Sequence, residues 1–404
     1  MYRSWLRGDQ PPLTALPAGH GPATPRPVTV VVLARDEERC LARCLDSVVT
    51  GDDAPSVLVL DTGSRDATPD IARRYRDRGV RLVQQRWPGS FADARNAALR
   101  HVDSGWVVFL DADEWLPDGE VQRLRACLAA LDHVDGLATT VFAPGIQEAD
   151  TGLRFDDIPR ILLADGLVRF RGPVHEYPVV RALDDDRPDQ PPRLVELDLT
   201  FHHDGYRPDV VADRRKPERN LALLDAALAA EPRHPRWVFF RLRDALPTLS
   251  PEEIETLCAR LAHCDSDGTG DRLTARHYRR QALAHSCQRL AVLGEWRAIH
   301  RHCDHLEELD GTPQPDAHYY RTTLALLDGT ATDADLLATV RLRKAESVLA
   351  RSALDRSGRH LDALLTTLLH TLRDSEQATR YRELCQPWTD AFYARSRLRP
   401  PDAR

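Results

Sequence analysis

WVVFLDADE, residues 106–114, runs five apolar residues into two aspartates one position apart, and its reading decides the fold class. An unbroken apolar run without polar alternation describes a strand covered on both faces, as in a parallel sheet flanked by helices. Toward the N-terminus the same pattern recurs. VTVVVLA (28–34) and SVLVLD (56–61) read as buried strands, and VRLVQQ (80–85) as another. Between them, Glu37 to Val49 has helical spacing, with Leu41, Leu45 and Val48 on one face; Ala67 to Arg78 and Phe91 to His101 are the next helices. This βαβαβαβ order predicts an α/β fold, an open and mostly parallel sheet with helices on both faces. Ligands of such sheets bind beyond the carboxyl ends of the strands. Three of the four strands run there into polar loops: Arg35-Asp36-Glu37, Asp61-Thr62-Gly63-Ser64 and Asp111-Ala112-Asp113-Glu114. That edge is the expected site.

Downstream the pattern is less regular, with short strands at LVRFRG (167–172) and LVELDLTFHH (194–203). From Lys216 onward strand signals vanish. Amphipathic helices punctuated by Pro232, Pro235, Pro247, Pro251 and Pro313 run to about Arg397 without a strict repeat period, as in a degenerate array of helical hairpins. The expected organisation is a flexible Pro-rich leader (1–27), an α/β catalytic domain (28–215) and an all-α domain (216–404).

A chain of 404 residues, 42% of them apolar, can bury the cores of two domains. Its formal charge of −7 argues against a surface built to hold a nucleic-acid backbone. The eight cysteines include no CxxC pair and no zinc-finger spacing, so reduced thiols are expected. Cys40 and Cys44 fall on one helix face. The leader has no apolar stretch of signal-peptide length, and the run at 28–34 is too short to cross a bilayer. A soluble, cytoplasmic protein with no transmembrane segment is the expectation.

Asp111 and Asp113 at a strand end can hold a hard divalent cation, which in turn neutralises a diphosphate; a solvated, helix-capping turn is the alternative. Asp61 can accept hydrogen bonds from a nucleobase N–H or a ribose hydroxyl, while Ser64 or Asp66 can cap the following helix. Asp36 reads equally as a helix N-cap or a nucleotide contact. Arg95, early in its helix after Trp87-Pro88-Gly89-Ser90-Phe91, is placed to reach phosphates or to remain an ordinary surface arginine.

Taken together, VTVVVLARDEE, LVLDTGSRDAT, ADARNAAL and WVVFLDADEWL resemble the family-2 glycosyltransferases of GT-A fold over roughly residues 28–116. The resemblance implies a nucleotide-sugar donor, a UDP-sugar in the first place, in a pocket lined by Ala34, Asp36 and Asp61, with Glu37, Arg95 and Asp111 as further candidate donor contacts. It also implies Mn²⁺ or Mg²⁺ held by Asp111 and Asp113, and a single displacement with inversion. Where the family often has Asn, this chain has Arg35. VRFRGPVHEYPV (168–179) and FHHDGYRPD (201–209) resemble the His-Glu and His-x-Gly-Tyr segments of a subgroup with tetratricopeptide-like C-terminal helices. That subgroup includes bacterial enzymes that glycosylate peptides, some on cysteine sulfur. Glu176, or else Glu114, is then the candidate base, assisted by Asp113 as a catalytic residue, and His175 is a third metal ligand, a diphosphate contact or a satisfied histidine. Of His202 and His203, on opposite faces of one strand, at most one enters the site. The helical half is expected to recognise a peptide or protein acceptor, or to form a homodimer. The acceptor class stays open between polysaccharide, lipid-linked sugar, small natural product and peptide.

Two rival readings differ in class. A sugar nucleotidyltransferase shares the sheet and metal site but carries a Gly-rich basic loop after its first strand, and ARDEERC (34–40) has no glycine. A non-catalytic helical scaffold with a degenerate transferase domain is opposed by intact Asp61, Asp111 and Asp113.

Overall fold

The structure, a computed structural model, describes residues 2–6, 13–16, 24–51, 54–149, 154–182, 188–204, 216–265 and 269–385. The chain divides into two compact units, Met1–Ala227 with Asp267–Arg272, and Leu228–Ser266 with Leu273–Arg404.

The first unit is built on β1 (Val28–Ala34), β2 (Ser56–Asp61), β3 (Val80–Gln84) and β4 (Trp106–Asp111). They lie side by side in the order β3-β2-β1-β4, all parallel. Helices α1 (Leu41–Val48), α2 (Thr68–Arg74) and α3 (Phe91–Leu99) make the crossovers. The sheet continues through β5 (Glu114–Trp115), β6 (Thr140–Glu148), β7 (Arg154–Phe155), β8 (Ile161–Leu163) and β11 (Arg193–His203), with α4 (Glu120–Leu131) between β5 and β6. It is mixed beyond β4: β8 runs antiparallel to β4, whereas β11 is parallel to β6 and antiparallel to β5. A separate antiparallel pair, β9 (Val168–Arg171) and β10 (Tyr177–Val180), completes the unit.

The apolar strands separate two cores by their period of two. Val30, Val32, Val57, Val59, Val108 and Leu110 face α1 and α4 through Leu41, Leu45, Leu124 and Leu128. Val31, Leu58, Leu60, Val107 and Phe109 face the other way, against Ala97, Ala98, Val168 and Phe170. Burial on both faces explains why these strands lack polar alternation.

The first helix departs from expectation. It starts at Leu41, because Glu37–Cys40 forms a turn in which Cys40 and Leu41 N–H groups donate to the Glu37 carbonyl. Asp36 therefore does not cap it. The leader also differs from a flexible segment where it is described. Leu13 is buried in the first core, Leu6 and Ala15 form isolated bridges to Leu197 and Val134, and Leu16 N–H donates to the His133 carbonyl. Further on, Asp132 accepts from Arg26 Nη1 at 2.8 Å and from Trp106 Nε1 at 2.9 Å, tying the chain before β1 to the start of β4. Gly105, at φ 88°, is required here, since a Cβ would collide with the Pro27 carbonyl oxygen that accepts from Trp106 N–H.

In the second unit the described residues form helices only. Proline occupies the first turn of Pro235–Ala245, Pro251–Leu261 and Pro315–Leu327, where its missing N–H costs nothing. Ser250 and Glu253 make a reciprocal capping box, and Thr274 caps Ala275–Leu293. The buried aromatics Trp237, Tyr278, Tyr319 and Tyr320 fill its core, and Tyr320 Oη donates to the Ala284 carbonyl at 2.9 Å. The last described helix is Ser375–Leu384, so the expected end near Arg397 lies outside the described residues. No helix of the described residues is long and apolar enough to cross a membrane.

Candidate active site

Parallel register brings the three polar loops together: Ala34 pairs with Asp61, and Leu33 pairs with Asp111. Thr62 N–H donates to the Ala34 carbonyl at 2.9 Å, closing the first two loops against each other. Asp61 is 1% exposed. One of its carboxylate oxygens accepts from Ser64 N–H and Oγ, and the other from Gln84 Nε2 at 3.2 Å. Ser64 in turn accepts from Asp36 N–H at 2.9 Å, and Asp36 Oδ1 accepts from Arg65 N–H at 2.7 Å. Asp36 thus ties two loops together, in the left-handed backbone region at φ 55°. Glu37 is buried, its N–H donating to Thr68 Oγ1 and its carboxylate accepting from Cys40 Sγ. The N-cap position falls to Ala67, which makes no side-chain cap, and Asp66 before it accepts from Thr68 N–H at 3.0 Å.

The Asp111 loop is organised by two arginines. Arg160, which the sequence reading did not single out, precedes β8 and donates from one nitrogen to Asp111 Oδ2 at 2.7 Å and Glu114 Oε1 at 2.6 Å. It is buried, and its Nε has no partner. The signal available in sequence was one arginine set directly before the apolar Ile161-Leu162-Leu163. Arg95 is not a surface residue. At 6% exposure it donates from Nε to Glu176 Oε1 at 2.7 Å and reaches Asp111 Oδ1 at 3.4 Å, with its guanidinium over the rings of Phe109 and Phe170. The neighbouring Asn96 makes two 2.9 Å bonds to the Phe170 backbone, clamping α3 to β9.

These contacts set the charge states. Burial raises the Asp111 carboxyl, but Arg160 and then Arg95 more than offset this and leave it at about 2. Burial pushes Glu114 up to about 7 against the pull of Arg160. Of the two carboxylates sharing Arg160, the more exposed Asp111 ionises first and Glu114, 1% exposed, resists. Glu114 also accepts from Asp111 N–H at 3.0 Å, so both its oxygens hold the loop. For Glu176, burial raises the carboxyl and Arg95 overcomes it, leaving it below the usual glutamate range.

Asp113 is buried, and His203 Nε2 lies 3.6 Å from its Oδ1 because β11 pairs with β5 at His203–Glu114. His202 turns away and stacks on Trp115 with ring centroids 5.4 Å apart. Of the two histidines, His203 is the one beside Asp113. Among the described residues no group of three or more His, Cys, Asp or Glu side chains is gathered to hold a metal ion, so the expected set of Asp111, Asp113 and His175 is not assembled. The reason is visible at Asp111, whose oxygens are turned to Arg160 and Arg95. His175 sits one residue before Glu176 in a left-handed conformation, φ 51°. Asp113 and His203, a carboxylate beside an imidazole, are the two neighbouring side chains that could help hold a divalent cation.

Residues 29–149 match the family model described as Glycosyl transferase family 2. The first unit carries a family-2 glycosyltransferase domain. The transferase domain's relatives include the SPbeta prophage-derived glycosyltransferase SunS of Bacillus subtilis, 29% identical over 229 residues that cover 56% of this chain and 51% of that protein. A TPR repeat-containing protein of Synechococcus elongatus is 33% identical over 208 residues, 51% of this chain and 49% of that protein. The chain spans about half the length of the curated relatives it matches. Among solved structures, TarS 1-349 of S. aureus is 14% identical with a TM-score of 0.33, covering 90% of this chain and 94% of that one. The expected α/β domain followed by helices is what the described residues form.

Proposed function

We propose that this protein is an inverting, metal-dependent glycosyltransferase that moves a hexosyl or N-acetylhexosaminyl group from a nucleotide sugar, a UDP-sugar first, to a nucleophile on an acceptor. The observation that carries this reading is the convergence, at the carboxyl ends of β1, β2 and β4, of a buried Asp61, the Asp113–His203 pair and the Arg95–Glu176 ion pair. The nucleoside lies over Ala34, Asp36 and Asp61. Asp61, its oxygens engaged by Ser64 and Gln84, holds together the loops that form the floor of this pocket.

A divalent cation bound by Asp113 and His203 would neutralise charge on the nucleoside diphosphate as it leaves, the electrostatic contribution such transfers depend on most. Arg160 holds Asp111 and Glu114, and thereby the backbone that presents Asp113. Glu176, ionised because of Arg95, takes the proton from the acceptor hydroxyl, amine or thiol as that atom attacks the anomeric carbon on the face opposite the diphosphate. One bond forms to the anomeric carbon as the sugar–phosphate bond breaks, and the electron pair leaves with the diphosphate. Residues 28–215 are taken as this catalytic domain, and the TPR-like helices beyond Lys216 as the platform for a peptide or natural-product acceptor, or for a homodimer.

The test is a donor screen on the full chain. UDP-, GDP- and dTDP-sugars are incubated with Mn²⁺ or with a chelator, and nucleoside diphosphate release is followed. Metal-dependent release from one donor, reduced about 10²-fold or more in Asp113→Ala, is expected. Equal release with chelator, or an undiminished Asp113→Ala, overturns the metal-dependent reading.

A further inference from the structure

Asp204 follows directly on His203 and is 8% exposed, yet it contributes nothing to the chemistry above. Two arginines converge on it, Arg39 from the turn before α1 and Arg43 from α1. Arg39 engages both carboxylate oxygens, at 3.2 and 3.3 Å, and Arg43 Nη2 donates to Oδ2 at 2.6 Å. Its N–H donates to the Asp113 carbonyl at 3.3 Å, extending the strand pairing one residue past His203 into the Asp111–Asp113 loop. The same Arg43 lies over the Trp115 ring, 3.8 Å from its centroid, and Trp115 is the residue on which His202 stacks. Both neighbours of His203 are therefore held, His202 by Trp115 and Asp204 by the arginines, and Arg43 touches both supports. Arg39 and Arg43 are 40% and 42% exposed at their side chains, so neither serves the core.

A strand end with one neighbour loose can rotate its last side chain away from the facing loop. With both neighbours fixed, the backbone that presents the imidazole to Asp113 cannot shift without breaking an ion pair or a ring stack. We infer that Arg43 and Asp204 form a clamp that fixes His203 beside Asp113 and so sets the affinity of that pair for a divalent cation, coupling the helix after the donor-binding loop to the metal site. The inference rests on the reading of Asp113 and His203 as metal ligands. Arg43 and Asp204 are positioning residues, acting through His203. Outer-shell partners of metal ligands are worth about 10- to 100-fold in metal affinity.

The experiment titrates Mn²⁺ into the full chain with UDP present and reads UDP binding by calorimetry, for wild type, Arg43→Gln, Arg43→Lys, Asp204→Asn and, as reference, His203→Ala. Arg43→Gln and Asp204→Asn are expected to raise the Mn²⁺ concentration for half-maximal UDP binding by about tenfold, with wild-type UDP affinity regained at saturating Mn²⁺. Arg43→Lys, which keeps the charge facing Asp204, is expected to fall between them and wild type. A normal Mn²⁺ midpoint in Arg43→Gln and Asp204→Asn, with His203→Ala impaired, overturns the clamp alone. A defect that saturating Mn²⁺ leaves in place marks general damage and overturns the positioning role. UDP binding in wild type that ignores Mn²⁺ overturns the metal reading and the clamp with it.

Discussion

Arg95 joins Asp111 to Glu176: one guanidinium reaches Glu176 Oε1 at 2.7 Å and Asp111 Oδ1 at 3.4 Å. The loop after β4 and the segment before β10 are thus linked by a single buried cation resting on Phe109 and Phe170. Glu176 owes its ionised state to that link, since burial alone favours the neutral acid.

Arg95→Met is therefore expected to move the acid limb of the pH–rate profile upward. With Arg95 present, the Glu176 carboxyl loses its proton below the ordinary glutamate range and is available as a base throughout the neutral region. Without it, desolvation is unopposed by its main partner, and kcat/KM should fall as pH drops from neutrality, recovering at higher pH. A profile of kcat/KM against pH for the two proteins decides this. An unshifted limb in Arg95→Met removes Glu176 as the titrating base.

Glu176→Gln keeps the side-chain shape and its place beside Arg95 while removing the proton acceptor. Loss of a general base is expected to lower kcat by about 10² to 10⁴-fold, with UDP affinity unchanged. Single-turnover transfer and separate UDP titration distinguish the two effects. An equal loss in UDP affinity would instead show that Glu176 serves the donor site.

The four parallel strands were legible in sequence because burial on both faces leaves an unbroken apolar run, and β2 and β4 extend no more than one residue beyond it at either end. The acidic loops followed, since strand ends in a parallel sheet must share an edge. Arg160 was not legible. It enters the site from before β8, a strand that joins β4 antiparallel across a crossover no local pattern encodes. His203 was half legible: strand period placed it opposite His202, but only the pairing of β11 with β5 chooses which of them meets Asp113. The leader misled because its prolines and short polar stretches resemble a linker, while the few residues that dock, Leu6 and Leu13 among them, are too sparse to make a period.

Arg160 should be as important to stability as to activity. Removing one member of a buried ion pair leaves an uncompensated charge and costs roughly 3–5 kcal/mol. In Arg160→Met the strain falls on Glu114, buried and already reluctant to ionise. Because Glu114 can take up a proton, the loss is expected toward the lower end of that range and to grow as pH rises. Arg160→Met combined with Glu114→Gln should recover part of it. Urea unfolding of both variants measures this, and a double variant no more stable than Arg160→Met rules out Glu114 as the source.

The second unit carries its own pH dependence through His318. Burial lowers this imidazole to about 4, against an opposing pull from Asp335, and its Nε2 lies 2.8 Å from Thr339 Oγ1. The folded state holds the neutral ring while the unfolded chain takes up a proton near the ordinary value of about 6.5. The unfolded state therefore binds more protons between these values, and stability falls as pH drops through that window. Above pH of about 6.5 the contribution is complete; below the folded value no further loss comes from this group. His318→Gln can keep a polar contact to Thr339 but cannot titrate, so its unfolding midpoint in urea should be flatter from pH 6.5 to 4. Hydrogen exchange of the Pro315–Leu327 helix, followed over the same range, assigns the change to this unit. Identical slopes for wild type and His318→Gln would place the acid sensitivity elsewhere, with the Glu255 carboxylate, drawn down to about 2 by His302 and Arg301 despite burial, the next group to replace.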